Sequence, residues 1–239
     1  MTTKNLAIFD FDYTVVSKNT DTEVANLVEK ETLMEARKII DTKGWTAFMA
    51  EIFGILHSQN VPKATIHTTI IQIPETEGMC ELFKALHDEL NYEIIIMSDS
   101  NQVFIQDWLD AHNVRKYIKQ VFTNPAEYDE SGLLCIQPYQ IQDECKLCPK
   151  NLCKGSIMKK YIEINEKLGI EYNKIIYAGD GSNDFCPMIK LRSQDTAFPR
   201  LGYRIMSAIE TNRNDADLVI KANVQPWNNA CDILKIVRE

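Results

Sequence analysis

Four short apolar runs, separated by longer stretches with helical spacing, constrain the fold of this 239-residue chain more than any other feature. The runs are residues 6–9, 93–97, 174–178 and 217–220. Alternation of such runs with helices is typical of a doubly wound α/β fold with a mainly parallel sheet. Ligands of these sheets bind beyond the carboxyl ends of the strands. The polar residues that follow the runs are therefore candidates for a functional site.

The segment between the first two runs is far longer than an ordinary connection between a strand and a helix. Thr20 and Glu23 have the spacing of a helix-capping box. A later helix face, which we interpret as packing, carries Trp45, Phe48, Met49, Ile52, Phe53 and Leu56. We expect a helical cap, residues 17–90, inserted into one α/β core of residues 1–16 and 91–239. A cysteine-containing excursion, near residues 124–153, interrupts this core.

Composition disfavours several classes of partner. A formal net charge of −8 repels polyanions, so nucleic acid is not an expected partner. No apolar run approaches the roughly 20 residues that span a bilayer, and the N-terminal apolar block is too short for a signal peptide. Seven cysteines, an odd number, predict reduced thiols. We expect a cytoplasmic protein with a small soluble ligand, and the sequence carries no signal for an oligomeric partner.

Two acidic strand ends predict a metal site. Asp10 and Asp12 follow the first run two positions apart, which directs both carboxylates to one side of an extended chain. Alone, such a pair is often only solvated. Asp180, Asn183 and Asp184 follow the third run among glycines that permit close backbone approach. Because two acidic clusters repel each other without a cation, and Mg²⁺ prefers oxygen ligands, we favour a Mg²⁺ site over an unoccupied acidic rim.

Two further residues could bind a phosphate group. Ser98 follows the second run and can offer its hydroxyl and the neighbouring amides. Lys154 precedes a helical pattern and could neutralise phosphate as a point charge. Taken singly, both signals are weak, and an isolated lysine is more often a solvated surface residue.

Taken in chain order, these elements resemble the four motifs of the haloacid dehalogenase superfamily. They are residues 10–14, Ser98, Lys154 and residues 179–184. Nearly the whole chain also resembles the family of phosphoethanolamine/phosphocholine phosphatases and pyridoxal phosphate phosphatases. That resemblance is carried by residues 98–101, 122–125, 145–154, 179–187 and 198–203, and it is closer to the pyridoxal phosphate branch at 98–105 and 148–154. It implies a Rossmann-like core and a phosphomonoesterase.

The resemblance also implies the role of each motif residue. Asp10 would attack phosphorus to form an aspartyl phosphate, and Asp12 would act as general acid and then general base. Ser98 and Lys154 would hold the transferring phosphoryl group. The implied Mg²⁺ ligands and their supports are Asp10, the carbonyl of Asp12, Asp180, Asn183 and Asp184.

The implied substrate is a small amine-bearing phosphate monoester. Pyridoxal 5′-phosphate is the leading expectation, and phosphoethanolamine or phosphocholine is the alternative. Asp21 and Asp99 are implied to face the positive end of this substrate. Ordinary roles stay open for both, since Asp21 could serve a helix N-terminus and Asp99 could support Ser98. Lys18 stands where relatives usually carry an acid, which weakens the case for a strongly anionic pocket.

Other interpretations stay open. The chain could be a non-catalytic module that binds a phosphate ligand, or a phosphotransferase that uses an acceptor alcohol. Cys145, Cys148 and Cys153 have a spacing that could bind zinc. Because no histidine accompanies them, we favour thiols that pack a loop against the core.

Overall fold

Six parallel strands form the central sheet of the computed structural model, which describes residues 2–239. With the two strands of a separate hairpin included, the strands in chain order are β1 (Thr2–Phe9), β2 (Tyr92–Asn101), β3 (Ile118–Asn124), β4 (Ala126–Tyr128), β5 (Leu134–Ile136), β6 (Ile170–Gly179), β7 (Thr196–Pro199) and β8 (Asn223–Val224). The sheet order is β3-β2-β1-β6-β7-β8, and β4 and β5 form a separate antiparallel hairpin. The predicted doubly wound, mainly parallel α/β fold is therefore confirmed.

Helices cover both faces of this sheet. They are α1 (Thr20–Ala25), α2 (Lys30–Arg37), α3 (Ile39–Lys43), α4 (Trp45–Ser58), α5 (Lys63–Ile71), α6 (Met79–Lys84), α7 (Gln102–Ala111), α8 (Lys154–Lys167), α9 (Phe185–Met188), α10 (Arg204–Asn212) and α11 (Ala230–Arg238). A π-helical turn, Ala85–Glu89, continues α6. Within residues 2–239, every helix is too short or too polar to cross a membrane.

Alternate residues of β1 pack on opposite faces of the sheet. Ala7 and Phe9 join one apolar cluster, whereas Leu6 and Ile8 join the other. All four are fully buried, because helices cover both faces. A strand buried on both sides reads as a continuous apolar run, which is why the sequence located β1, β2 and β6.

The prediction of a strand at residues 217–220 is wrong. Ala216–Leu218 forms a 3₁₀ turn, and the edge strand β8 begins later, at Asn223. Val219 is half exposed, so its run belongs to the surface and not to the sheet. The sequence also missed β3, in which the exposed Lys119 and Gln120 interrupt the apolar pattern.

Helices α1 to α5 lie in the segment between β1 and β2, whose two ends lie side by side, and α5 also packs against α7. Ser17 donates its N–H to the carbonyl of Pro74 (2.9 Å), and Thr76 donates to Val15 (2.9 Å). Further along, α6 packs against α11. The division into a cap of residues 17–90 and a core stays a prediction.

Candidate active site

Asp10 lies at the carboxyl end of the central strand β1. Its Oδ1 accepts the N–H of Phe11 (2.6 Å), and its Oδ2 lies 2.8 Å from the ammonium of Lys154. The Asp10 side chain is nearly buried, and that of Lys154 is fully buried. The charge pair is therefore shielded from water, which makes each charge more effective than it would be at the surface.

Lys154 begins α8 and reaches two carboxylates. Its Nζ also lies 2.7 Å from Oδ1 of Asp184. Burial acts to lower the pKa of Lys154, but the charges of Asp10 and Asp184 together raise it above its ordinary value. The lysine is therefore a permanent cation in the floor of the site. The interpretation of a lone lysine as a solvated surface residue does not apply here.

The loop after β6 brings a second pair of acids to the same place. Asp184 is fully buried and accepts hydrogen bonds from the hydroxyl of Tyr177 (2.7 Å) and the N–H of Gly181 (2.8 Å). A Cβ at Gly179 would lie 2.3 Å from Cγ of Asp184, so only glycine permits this approach. The glycines of this loop thus allow its acids to fold back onto β6.

Asp10, Asp180 and Asp184 form a cluster that suits a hard cation. One carboxylate oxygen from each lies within 4.8 Å of the others. Burial, followed by the charge of Asp184, raises the pKa of Asp10 and of Asp180, while Lys154 opposes both shifts. One lysine therefore leaves the cluster with uncompensated negative charge, and oxygen donors of this kind are those that Mg²⁺ prefers.

Asp12 is held by the residues that lead into α1. Its Oδ1 accepts the N–H of Thr20 (3.0 Å), and its Oδ2 accepts from the amide of Asn19 (3.0 Å) and the hydroxyl of Thr20 (3.2 Å). Burial, with the nearby charge of Asp21, raises the pKa of Asp12 well above its ordinary value, although the Thr20 bonds oppose this. The arrangement fixes this carboxyl group and favours its protonated form.

The capping prediction for Thr20 is wrong. Asn19 is the N-cap of α1 and accepts the N–H of Thr22 (2.8 Å). Thr20 is the first helical residue, and its hydroxyl lies between Asp12 and the hydroxyl of Ser100 (2.7 Å). The polar residues before the helix correctly indicated where α1 begins. They did not indicate that the Thr20 hydroxyl contacts Asp12 and Ser100.

Ser98, Asp99 and Asn183 surround the acidic cluster at the ends of β2 and β6. The hydroxyl of Ser98 is buried and accepts the N–H of Ser100 (3.2 Å). Asp99 accepts a hydrogen bond from the amide of Asn183 (3.3 Å), so these two residues connect the two strand ends. Asp99 and Asn183 line the same cavity as Asp10, whereas Ser98 is fully buried and does not line it.

Asp21 is buried behind Trp45. The indole N–H of Trp45 donates to Oδ2 of Asp21 (2.6 Å), while Oδ1 is buried without a hydrogen-bond partner among residues 2–239. Burial raises the pKa of Asp21 to about 7, against the effect of the Trp45 bond. The side chain that lines the cavity here is Trp45. The interpretation of Trp45 as a packing residue is therefore wrong, since the residue is 38% exposed and lines the cavity.

The acids and Trp45 open into one cavity of about 900 Å³. Its walls include residues for which we predicted no role: Tyr13, Asn19, Lys146, Tyr203 and Arg204. An adjoining cavity of about 640 Å³ is lined by Trp45, Asp99, Ile136, Pro138 and Ile141. The site thus combines an acidic floor, two basic wall residues and an apolar side.

Arg200 anchors the loop that carries Asp10 and Asp12. Its guanidinium donates to the carbonyl of Tyr13 and lies over the rings of Tyr203 (4.6 Å) and Trp227 (5.0 Å). Tyr13 has a φ of 55°, which is uncommon for a residue other than glycine. The hydrogen bond from Arg200 stabilises this backbone conformation. Arg200 belongs to residues 198–203, one of the segments that carried the family resemblance.

Comparisons with known proteins agree with this geometry. A family model described as “Putative Phosphatase” matches residues 5–239. The pyridoxal phosphate phosphatase PHOSPHO2 of Homo sapiens is 34% identical over 234 residues, which cover 97% of this chain and 96% of that protein. The phosphoethanolamine/phosphocholine phosphatase of Gallus gallus is 30% identical over 239 residues, covering 99% and 88% of the two chains.

A solved structure shows the same fold. The phospho-aspartyl intermediate analogue of phosphoserine phosphatase matches with a TM-score of 0.64 and 22% identity, covering 98% of this chain and 99% of that one. Together, the family match, the two curated relatives and this fold confirm the resemblance that the motifs predicted. The chain is therefore a member of the phosphatase family that includes the pyridoxal phosphate and the phosphoethanolamine/phosphocholine phosphatases, within the haloacid dehalogenase superfamily.

Proposed function

We propose that this phosphatase is a Mg²⁺-dependent phosphomonoesterase that hydrolyses pyridoxal 5′-phosphate through an aspartyl phosphate on Asp10. The observation that carries the proposal is the position of Lys154, whose Nζ lies 2.8 Å from Asp10 and 2.7 Å from Asp184. A buried cation at the nucleophile can neutralise a phosphoryl group while Asp10 attacks it.

The residues of this chain account for both halves of the reaction. An Asp10 carboxylate oxygen attacks phosphorus, and the bond from phosphorus to the ester oxygen breaks. Asp12 gives its proton to that oxygen, and its raised pKa suits this role because it favours the protonated carboxyl group. Asp12 then removes a proton from water, which attacks the phosphorus of the aspartyl phosphate and releases Asp10 and inorganic phosphate.

Asp10, Asp180 and the carbonyl of Asp12 would hold Mg²⁺, which would supply positive charge in addition to that of Lys154. Asp184 would support the metal site, since its oxygens already accept hydrogen bonds from Lys154, Tyr177 and Gly181. Asn183 supports the site through its bond to Asp99. Ser98, with its neighbouring amides, would bind a phosphoryl oxygen at the end of β2.

The substrate assignment rests on the cavity wall. The ring of Trp45 and the neighbouring apolar side chains of Ile136 and Ile141 offer a surface for a flat pyridine ring. Asp99 lines both cavities, so a carboxylate is placed where it could face a protonated ring nitrogen. The human relative named a pyridoxal phosphate phosphatase supports this choice.

A comparison of substrates tests the proposal. We expect kcat/KM for pyridoxal phosphate to exceed that for phosphoethanolamine, phosphocholine and sugar phosphates, with a lower KM. The reverse order would favour the alternative phosphoethanolamine/phosphocholine phosphatase, whose relative from Gallus gallus matches nearly the whole chain. Activity should disappear with EDTA and return with Mg²⁺. Persistent activity after exhaustive chelation would contradict the metal assignment.

Added alcohols separate hydrolysis from phosphoryl transfer. We expect water to be the acceptor, so that phosphate release equals the alcohol product formed from the substrate. A phosphorylated acceptor that accumulates at the expense of inorganic phosphate would identify a phosphotransferase. Binding of pyridoxal phosphate without any release of phosphate would identify a non-catalytic module.

A further inference from the structure

Four cysteine thiols converge beside the N-terminus of α8. Cys145 and Cys148 belong to the loop after β5, Cys153 directly precedes Lys154, and Cys186 lies in α9. Their four sulfur atoms lie within 4.8 Å of one another. We propose that these four thiolates bind one zinc ion, which fixes the loop of residues 137–153 to the catalytic core.

The spacing of the sulfurs suits tetrahedral coordination. Zn–S bonds of about 2.3 Å place neighbouring sulfurs about 3.8 Å apart. The Sγ of Cys186 lies 3.5 Å from that of Cys145 and 3.9 Å from that of Cys153. A disulfide needs an S–S bond of about 2.05 Å and would join only two of the four sulfurs. A single ion accounts for all four.

Cys186 supplies the fourth zinc ligand that the sequence analysis lacked. The cysteines of the loop lack a histidine, so the sequence offered three ligands and favoured simple packing. The fold supplies the fourth thiol from the segment that follows the acidic loop. Four thiolates complete a closed structural zinc site without any histidine.

The backbone around the cysteines is arranged for this role. The side-chain amide of Gln142 donates to the carbonyls of Cys145 (3.3 Å) and Cys148 (3.4 Å), and its oxygen accepts the N–H of Cys145 (2.9 Å). A Cβ at Gly155 would lie 2.6 Å from Sγ of Cys186. Thus Gln142 shapes the turn between two ligands, and Gly155 leaves room for a third.

The loop has no regular secondary structure of its own, although hydrogen bonds to Asn124 and the burial of Leu152 also hold it. Residues 137–153 contain no helix or strand, and irregular segments of this length are uncommon in compact domains. Lys154 directly follows the ligand Cys153, and Asp184 lies two positions before Cys186. The ion would therefore hold together the two segments that carry the Lys154–Asp184 pair. Zinc binding of this kind contributes directly to folding free energy.

The metal content of the protein tests the proposal. Wild-type protein is produced with added zinc, purified without chelators and dialysed against excess Mg²⁺, and we expect one zinc per chain by elemental analysis. Cys148→Ser should lose the zinc, whereas Cys148→His should retain it, because imidazole also binds zinc. The controls Cys135→Ser and Cys231→Ser, which change cysteines outside the cluster, should retain it.

Two measurements keep the test independent of variant folding and of the Mg²⁺ site. Cobalt incorporated into wild-type protein should give the thiolate charge-transfer absorption of tetrahedral coordination. Asp180→Ala should keep its zinc, because Asp180 lies outside the cysteine cluster. Wild-type protein without zinc, iron in its place, a disulfide in the reduced purified protein, or zinc retained by the Cys148→Ser/Cys153→Ser double variant would each overturn the proposal.

Discussion

Asp10 and Asp12 have different partners, and asparagine at each position separates their roles. Asp10→Asn should fold normally yet lose at least ~10³-fold in kcat, because an amide cannot form the aspartyl phosphate. Asp12→Asn should also be severely impaired, but acid-quenched samples should contain phosphoenzyme that decays slowly. Steady-state kinetics and phosphoenzyme trapping measure these effects. Turnover near the wild-type rate in either variant would contradict the corresponding assignment.

Asp21 makes the stability of the protein depend on pH. Its pKa is about 7 in the folded protein, against an ordinary value near 3.9, so the folded state keeps a proton that the unfolded chain releases. Stability that is present below about pH 4 is therefore lost as the pH rises through about 7. Asp21→Asn keeps an oxygen for the Trp45 N–H and does not titrate.

We therefore expect Asp21→Asn and the wild-type protein to be similarly stable near pH 4, and the variant to be more stable by roughly 1–4 kcal/mol near pH 8. Urea denaturation at a series of pH values measures this difference. A difference that does not change with pH would mean that Asp21 is already ionised in the folded protein. The matched control is Glu23→Gln, which changes a partly exposed acid of the same helix.

At the level of the elements, α4 presents its first residue to the cavity. Trp45→Ala should raise KM for pyridoxal phosphate roughly three- to tenfold, because a ring–ring contact is typically worth about 0.5–1.5 kcal/mol. KM for phosphoethanolamine, which has no ring, should change much less. Trp45→Phe keeps an aromatic face and should recover most of the loss. Equal losses on both substrates would mean that Trp45 only supports the fold of the cap helices.

The end of β6 depends on glycine, and α4 offers a matched control. Gly179→Ala places a Cβ 2.3 Å from Asp184 Cγ, so we expect a loss of roughly 1–3 kcal/mol in unfolding free energy together with loss of activity. Gly54→Ala, inside α4, meets no atom within 4 Å and should gain about 0.5–1 kcal/mol. Denaturation of both variants measures the contrast. A harmless Gly179→Ala would show that the acidic loop is free to move.

At the level of the whole molecule, Mg²⁺ should stabilise the folded protein. An ion that binds only the folded state raises its stability by RT ln(1 + [L]/Kd), which is about 2.7 kcal/mol at a hundredfold excess over Kd. Thermal unfolding should therefore shift upward with Mg²⁺, and Asp180→Ala should need more Mg²⁺ for the same shift. Ca²⁺ should bind but inhibit, because its larger coordination shell misaligns the nucleophile. An unchanged melting temperature in Mg²⁺ would argue against this site.

The architecture was predictable because its strands are buried on both faces. β1, β2 and β6 appear as continuous apolar runs, and the acids after β1 and β6 meet because parallel strands end at one edge. The edge strand β8 has only two residues and both are exposed, so its sequence carries no comparable pattern. The sequence thus predicted the three central strands and missed β3, β8 and also the short interior strand β7, whose four residues are buried.

Part of the candidate site was likewise predictable from the sequence, and part was not. The positions of Asp10, Asp12 and Asp180 follow from strand ends, which are local features. The exposure of Trp45, the burial of Asp21 and the approach of Cys186 to Cys153 depend on how helices pack together. Such contacts join residues far apart in the chain, so spacing alone could not predict them.

The central place of β1 has a consequence for how the chain is made. Leu6 pairs with Glu93 on one side and with Ile175 on the other, so β1 is synthesised before both of the strands that flank it. Contacts between such distant residues slow folding and leave apolar strand edges exposed meanwhile. A nascent chain that ends before β6 therefore cannot complete the pairing of the strand that precedes Asp10, so the candidate site can form only after β6 has been made.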